Sequence, residues 1–499
     1  MSELFDPLLL GFGVALTPAN LFWCLAGALL GTLIGVLPGI GPVATIAMLL
    51  PVTFTLEPVG ALIMLAGIYY GAQYGGSTTA ILVNMPGESS SVVTCIDGHA
   101  MARRGRAGAA LAVAALASFF AGTVATLVVA VASPAMVRFG QLFGATEYFS
   151  LMAFGLVAAI VLAHGSVAKA VAMTLLGLVL GLVGTDVNSG QLRFTFGIAE
   201  LSDGIGFVPL AMGLFAIAEI AVQLERHFLR GQSAKIESLW PTRAEIREAA
   251  PAAVRGTLVG SLLGVLPGGG ALLSSFAAYT LEKKIARDPS RFGKGAVAGV
   301  AAPEAANNAG AQTSFIPMLT LGIPPNAVMA LMIGAMSIHG IVPGPQVMAR
   351  EPTLFWGLIA SMWIGNLMLV VINLPMIGLW VRLLRVPYRL LYPAILVFCC
   401  IGVFGLNNST FEVMLALAFG VLGYAFVKLG CEPAPLLLGF ILGPMMEENL
   451  RRAMRLSRGD PMVFVERPIS LALLVLAALL LVAVLAPAVR RARDKAFVE

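Results

Sequence analysis

The chain has 499 residues, 59% of them hydrophobic and 11% charged, with a formal net charge of +5. Soluble domains carry roughly 25% charged residues, so this composition, with a mean hydropathy of +0.92, excludes a soluble globular enzyme and indicates a membrane protein. The basic residues sit in short clusters between apolar runs, a pattern of loop topology rather than nucleic-acid binding.

An apolar run of about 20 residues can cross a bilayer as a helix. Such runs, or paired half-spans, occur near 8–37, 42–54, 59–85, 107–135, 145–163, 168–185 and 204–224. A polar interval follows, with Arg226, Arg230, Lys235, Arg243 and Arg247. The apolar pattern resumes near 253–281, 295–308, 313–349, 354–381, 390–405, 411–427 and 431–446, and ends in an unbroken stretch at 468–489. The expected fold is an all-α polytopic membrane protein with about 11–13 crossings. Its expected divisions are a first membrane repeat at 1–225, a polar cytoplasmic linker at 226–249, a second repeat with following helices at 250–467, and a C-terminal helix with a basic tail at 468–499. Met1–Asp6 carries only acidic charge before apolar sequence begins, so no separate cleavable signal is expected.

An internal repeat organises these segments. Gly31, Gly35, Pro38 and Gly41 match Gly260, Gly264, Pro267 and Gly270 at a constant offset. Gly71-Ala72-Gln73 and Pro86 match Gly310-Ala311-Gln312 and Pro325 in the same order. Loop charges alternate between the copies. Glu57 follows the first glycine-rich segment, whereas Lys283, Lys284, Arg287, Arg291 and Lys294 follow the second. Arg103, Arg104 and Arg106 follow the first GAQ segment, whereas Arg350 and Glu351 follow the other. Basic loops prefer the cytoplasm, so the copies are expected to have inverted topology, with a binding site near the midplane between them. Arginines flank the last helix on both sides, at 451–467 and 490–495, and leave it unoriented.

Proline inside a helix removes a donor and clashes with the preceding turn. Unpaired backbone groups are tolerated at membrane depth only inside a protein-lined cavity. Each repeat is therefore expected to hold a broken or re-entrant helical hairpin at its glycine-rich segment. Candidate substrate contacts there are Gly39, Gly41, Pro42 and Thr45, and Gly268, Gly269, Gly270 and Ser274. Glycine lets backbone approach a ligand, and a half-helix N-terminus suits a carboxylate. Gln73, Ser77, Thr78 and Asn84 in one polar span, and Asn307, Asn308, Gln312, Thr313 and Asn326 in its counterpart, add neutral donors and acceptors suited to an anion or to Na⁺. Glu304 is ionisable within an apolar segment, which marks it as a candidate coupling site for Na⁺ or H⁺. Asp97 is expected in an interfacial loop, and Asp186 and Asp203 at segment boundaries. The five cysteines form no C-x-x-C pair and read as core residues; neither metal nor cofactor is expected. Ser77, Glu88 and His99 are the one set that tempts an enzymatic reading, and their spacing matches no hydrolytic motif.

In the stretches PGIGPVATIAMLLP, YYGAQYGGSTTAILVNMPGE and APEAANNAGAQTSFIPMLTLGIPPNAVMALMIGA the chain resembles the large membrane subunit of the tripartite tricarboxylate transporters, the TctA family. The resemblance covers nearly the whole chain and maps the family's glycine-rich and PEAANNA-like motifs onto Gly39, Gly41, Pro303, Glu304, Asn307 and Asn308. It implies a permease of the bacterial inner membrane working with a small four-helix membrane subunit and a periplasmic solute-binding protein. It also implies carboxylate substrates and an ion gradient as driving force. The second glycine-rich segment departs from the first in lacking a proline equivalent to Pro42. A stand-alone carboxylate carrier or channel is the alternative reading.

Overall fold

The computed structural model describes residues 2–37, 41–163, 166–186, 188–225, 239–268, 270–383 and 388–485. They form a multi-pass helical membrane protein with one two-stranded ribbon. Six described helices are long and apolar enough to cross a bilayer by length and composition, and shorter apolar helices lie between them. Gly39, Gly269, most of the polar linker and the basic tail lie outside the described residues.

The segment expected at 8–37 is two helices, α1 (Ser2–Ala15) and α2 (Pro18–Val36). Thr17-Pro18 divides them: the Thr17 hydroxyl accepts the Asn20 amide, and Pro18 takes the first helical turn, where its missing N–H is no loss. The chain then breaks after Leu37 and returns as α3 (Pro42–Phe54), again with proline at the first position. Next comes α4 (Pro58–Val83), which is buried from Gly60 to Leu82. After a bent segment come α5 (Ala107–Gly140), α6 (Ala145–Leu162), α7 (Val167–Gly181) and α8 (Phe207–Glu225).

The second half begins with α9 (Arg243–Gly264), breaks, and returns as α10 (Gly270–Ile285). Its counterpart to α4 is α11 (Ala298–Thr313), in which every residue is buried. The stretch expected at 313–349 is divided: α12 (Phe315–Leu321) stops at Gly322, whose φ of 72° is the left-handed region open to glycine, and α13 (Ala327–Ile338) starts after Pro324-Pro325. The remaining long helices are α14 (Pro352–Asn373), α15 (Tyr388–Asn407), α16 (Thr410–Lys428), α17 (Ala434–Leu456) and α18 (Pro468–Leu485).

Lipid tails give apolar helices no hydrophobic reason to pair, so small residues and close packing must supply the contact. In the first half Gly27, Gly31 and Gly35 of α2 lie against the backbones of Met64, Ile68 and Ala72 of α4. In the second, Gly256, Gly260 and Gly264 of α9 lie against Ala302, Ala306 and Gly310 of α11. Both ladders advance in the same direction along both helices, so each pair is parallel, the returning arm of the broken hairpin joining them in the chain. The repeated glycines therefore pack in the same way in both halves. The GAQ triplets stand one residue out of step, since Ala72 is opposed in one ladder and Gly310 in the other. Tyr70 packs at a tilt on Phe315, just past the end of α11, while Ser77 meets Glu304 earlier in that helix, so α4 and α11 run antiparallel to each other.

Contacts also assign the two ends. Arg106 pairs with Glu245 and Arg291 with Glu248, which gathers the loops after α4, before α9 and after α10 at one end. At the other end the ribbon of Gly184–Thr185 and Leu192–Arg193 docks on α17: Arg451 reaches Asp186 at 3.0 Å, and Arg193 reaches Glu447 at 2.9 Å. The last helix, unoriented by its charges, starts at this second end, where the Ser150 and Ser470 hydroxyls are 2.7 Å apart and Phe149 packs on Phe464.

Two outcomes follow from these contacts. Gly31→Val and Gly260→Val put side chains into opposing backbone carbonyls; each should lower stability by about 1–3 kcal/mol in detergent unfolding, whereas Gly13→Ala, which meets nothing within 4 Å, should be neutral. The Asn188 amide and then Arg451 and Arg193 hold the Asp186 carboxyl down from its ordinary value to about 2, against its partial burial. A depressed carboxylate stabilises above its unfolded pKa and loses that contribution as pH falls through the folded one. Melting curves taken as pH drops from about 4 to about 2 should show wild type losing an increment that Asp186→Asn already lacks.

Candidate functional site

A cavity of about 1270 Å³ lies where the two broken hairpins meet. Gly41 and Pro42 reach it from the first hairpin, and Gly268 and Gly270 from the second. Gly268 and Gly270 have φ of 78° and 58°, values a side chain resists, which is why the second tip needs glycine at both positions. The tips place the N-terminal turns of α3 and α10 at the cavity wall, with their unpaired N–H groups. One of the tip amides is not free: the Gly268 N–H donates to the Pro325 carbonyl at 2.7 Å. Asn326 lines the cavity while serving the fold, because its Oδ1 caps α13 at the Met329 amide (3.0 Å) and its Nδ2 donates to Ser314 (3.2 Å).

Other candidate residues face the protein. The hydroxyls of Thr45 and Ser274 donate to the carbonyls four residues back, Gly41 (3.0 Å) and Gly270 (2.7 Å), so each closes the first turn of a returning half-helix. Thr313 does the same to Ala309 at 3.0 Å. Asn84 is an exposed cap, with φ of 58°, that ends α4. Gln73 is fully buried, with neither amide atom hydrogen-bonded, and Gln312 leaves its Oε1 unpartnered in the same way.

Behind the cavity a polar cluster joins the halves. Glu304, 1% exposed, accepts from Ser77 at 2.7 Å, from Thr94, and from Ser118 at 3.4 Å. Asn308, one turn along α11, donates to Ser118 at 2.7 Å and to the Glu304 carbonyl at 3.1 Å. Its neighbour Asn307 donates to Glu88 at 3.3 Å, and Ser90 donates to Asn307 at 2.8 Å and also contacts Glu88. Glu88 and Ser90 line the large cavity as well, so the cluster is continuous with its wall. Glu304 is therefore interior.

Sequence reasoning left four members of this cluster without a role. Glu88 and Ser90 belong to a GESSS run whose polarity was legible, whereas Ser118 and Thr94 carry no local signal. Asp97 lies in the bent segment after α4, at the end where the loops gather, and is fully buried against the protein rather than open to solvent. Its Oδ1 accepts the amides of Gly295 (2.7 Å) and Ala296 (2.8 Å), and its Oδ2 accepts the Tyr279 hydroxyl (2.9 Å). This carboxylate satisfies N–H groups where the chain enters α11, across the boundary between halves. Ser77, Glu88 and His99 do not converge: His99 Nδ1 lies 3.1 Å from the Ile81 carbonyl, and the other two have different partners.

The model of the tripartite tricarboxylate transporter TctA family matches residues 21–438. A protein of Agrobacterium vitis named "Uncharacterized 52.8 kDa protein in TAR-I ttuC' 3'region" is 58% identical over 500 residues, covering 100% of both chains. A second from the same organism, "Uncharacterized protein in TAR-II ttuC' 3'region", is 59% identical over 240 residues, 48% of this chain and 99% of its own. No solved structure matches.

The Asp97 knot makes a specific prediction. In Asp97→Asn the side-chain oxygen still meets the two backbone amides but without the carboxylate's charge, and the weakened bonds should cost about 1–3 kcal/mol in thermal unfolding. Tyr279→Phe, which removes one donor and leaves the carboxylate its two amides, should cost less.

Proposed function

The chain belongs to the tripartite tricarboxylate transporter TctA family, and we propose that it is the permease of an ion-gradient-driven symporter for tricarboxylates, dicarboxylates or related organic anions. A periplasmic solute-binding protein delivers the substrate, and a small four-helix membrane subunit completes the assembly in the bacterial inner membrane. The observation that carries this reading is the cavity bounded by both hairpin tips. Two half-helix N-termini at one wall bring partial positive charge to the place where a carboxylate would sit. Gly41, Pro42, Gly268, Gly270 and Asn326 are the contacts we assign to it.

The equivalent glycine ladders and the antiparallel course of α4 and α11 support two inverted repeats, at 1–225 and 250–467. Alternating access then moves one unit against the other. The cavity extends to Lys283 and Lys284, at the end rich in basic loops, which supports a cytoplasm-facing state. Glu304 is the coupling group, holding Na⁺ or H⁺ among the hydroxyls of Ser77, Thr94 and Ser118. A stand-alone carrier would transport when the purified chain is reconstituted alone; the tripartite reading expects transport only with its partners added.

In proteoliposomes bearing the whole assembly, Gly41→Val and Asn308→Leu should each reduce carboxylate uptake by about tenfold or more while still inserting. Undiminished uptake in Gly41→Val would remove the substrate-site assignment, and undiminished uptake in Asn308→Leu would remove the role given to the cluster around Glu304. Persistence of uptake after both Na⁺ and H⁺ gradients are collapsed would remove secondary coupling.

A further inference from the structure

A second, much smaller cavity of about 10 Å³ lies beside the Glu304 carboxylate, room for one water-sized particle. Its polar walls are Tyr74, Ser77, Thr78, Ser118, Glu304 and Asn373, and the rest of its lining is apolar. Among the described residues no lysine or arginine lines it.

The hydrogen bonds around this space use up its donors. The Tyr74 hydroxyl donates to Asn366 at 3.0 Å, and the Thr78 hydroxyl to the Tyr74 carbonyl at 3.2 Å. Ser77 and Ser118 donate to Glu304. The Asn373 amide nitrogen donates to the Leu369 carbonyl at 2.9 Å and to Thr32 at 3.4 Å. What these side chains retain is acceptor capacity, and the Asn373 Oδ1, on a residue 3% exposed, has no hydrogen-bond partner. A buried acceptor without a partner carries the desolvation penalty in full. A water molecule here could donate to Glu304 and Asn373 but would find no donor for its own lone pairs. A cation satisfies every group at once.

We infer that this cavity is a binding site for a monovalent cation of the sodium type, held by Glu304, by the Asn373 side-chain oxygen and by the hydroxyl oxygens of Ser77 and Ser118. One carboxylate with neutral oxygens matches a single hard charge. A divalent ion such as Mg²⁺ would keep several waters, for which the space is too small, and no imidazole or thiolate is present for a transition metal. The inference deepens the coupling role given to Glu304 and rests on that reading only for its consequence in transport. Asn373 is the residue it adds, from a helix outside the paired hairpins.

The test is thermal unfolding of the purified full-length chain, titrated with sodium, potassium or choline chloride at equal ionic strength, at mildly acidic and mildly alkaline pH. Sodium should raise the melting temperature in a saturable way that choline does not reproduce. Asn373→Leu should raise the half-saturating sodium concentration by about tenfold or more, and Glu304→Gln should abolish the sodium shift. Asn373→Asp keeps the oxygen and should retain it; this variant, with monodispersity on size exclusion, separates a lost ligand from a damaged fold. Wild type that shows no sodium-specific shift overturns the site, as does a shift that follows pH and ignores sodium. An intact sodium shift alongside sodium-independent uptake would uphold the site and remove its coupling role. Sodium-driven uptake without the shift would overturn the site and leave coupling to be carried elsewhere.

Discussion

Two helix pairs approach to backbone distance because glycine leaves no Cβ between them, and the rest of the molecule depends on that approach. Gly27, Gly31 and Gly35 seat α2 on α4, and Gly256, Gly260 and Gly264 seat α9 on α11. With those pairs locked, the returning arms α3 and α10 bring both breaks to one cavity. In a bilayer the broken backbone must find protein partners; at the second tip the Pro325 carbonyl supplies one.

Charge is divided according to depth. Acidic residues at the ends are paired with arginine, as Asp186 is with Arg451 and Glu245 with Arg106. Those pairs also explain why the arginines after residue 450 do not orient the last helix: several are neutralised by neighbouring acids and carry little topological information. The interior carboxylates are handled differently. Asp97 is held by two backbone amides and a tyrosine hydroxyl, and Glu304 by hydroxyls from three separate segments. An arrangement of neutral donors around a carboxylate leaves room for a mobile positive charge, where an arginine would fill the site permanently.

The same hydroxyl type plays different parts according to its backbone. Thr45 and Ser274 sit just inside returning helices, and their hydroxyls turn back to the carbonyl one turn earlier, the common fate of serine and threonine in helices. Ser77 also bonds back, to Gln73 at 2.9 Å, yet reaches Glu304 because α11 crosses antiparallel at that level. Local sequence does not separate these cases. The partner helix does.

Composition, apolar periodicity and the placement of glycine and proline determined the helical membrane class, the two broken hairpins and the placing of Glu304 within an apolar segment, since each expresses a local cost of burying backbone or charge in lipid. Element ends were less legible, as the breaks at Thr17-Pro18 and at Gly322 to Pro325 show, because proline is tolerated within other helices of this chain, such as Pro303 in α11. Only the tertiary structure decided which polar residues meet. Ser118 and Asn373 stand among apolar neighbours with nothing nearby in sequence to mark them; Ser118 donates to Glu304 from a helix far away in the chain, and Asn373 lines the small cavity beside that carboxylate. Hydrogen bonds across such distances depend on how α5 and α14 pack against α4 and α11, and that packing is set by the shapes of whole helices rather than by the residues beside each hydroxyl or amide.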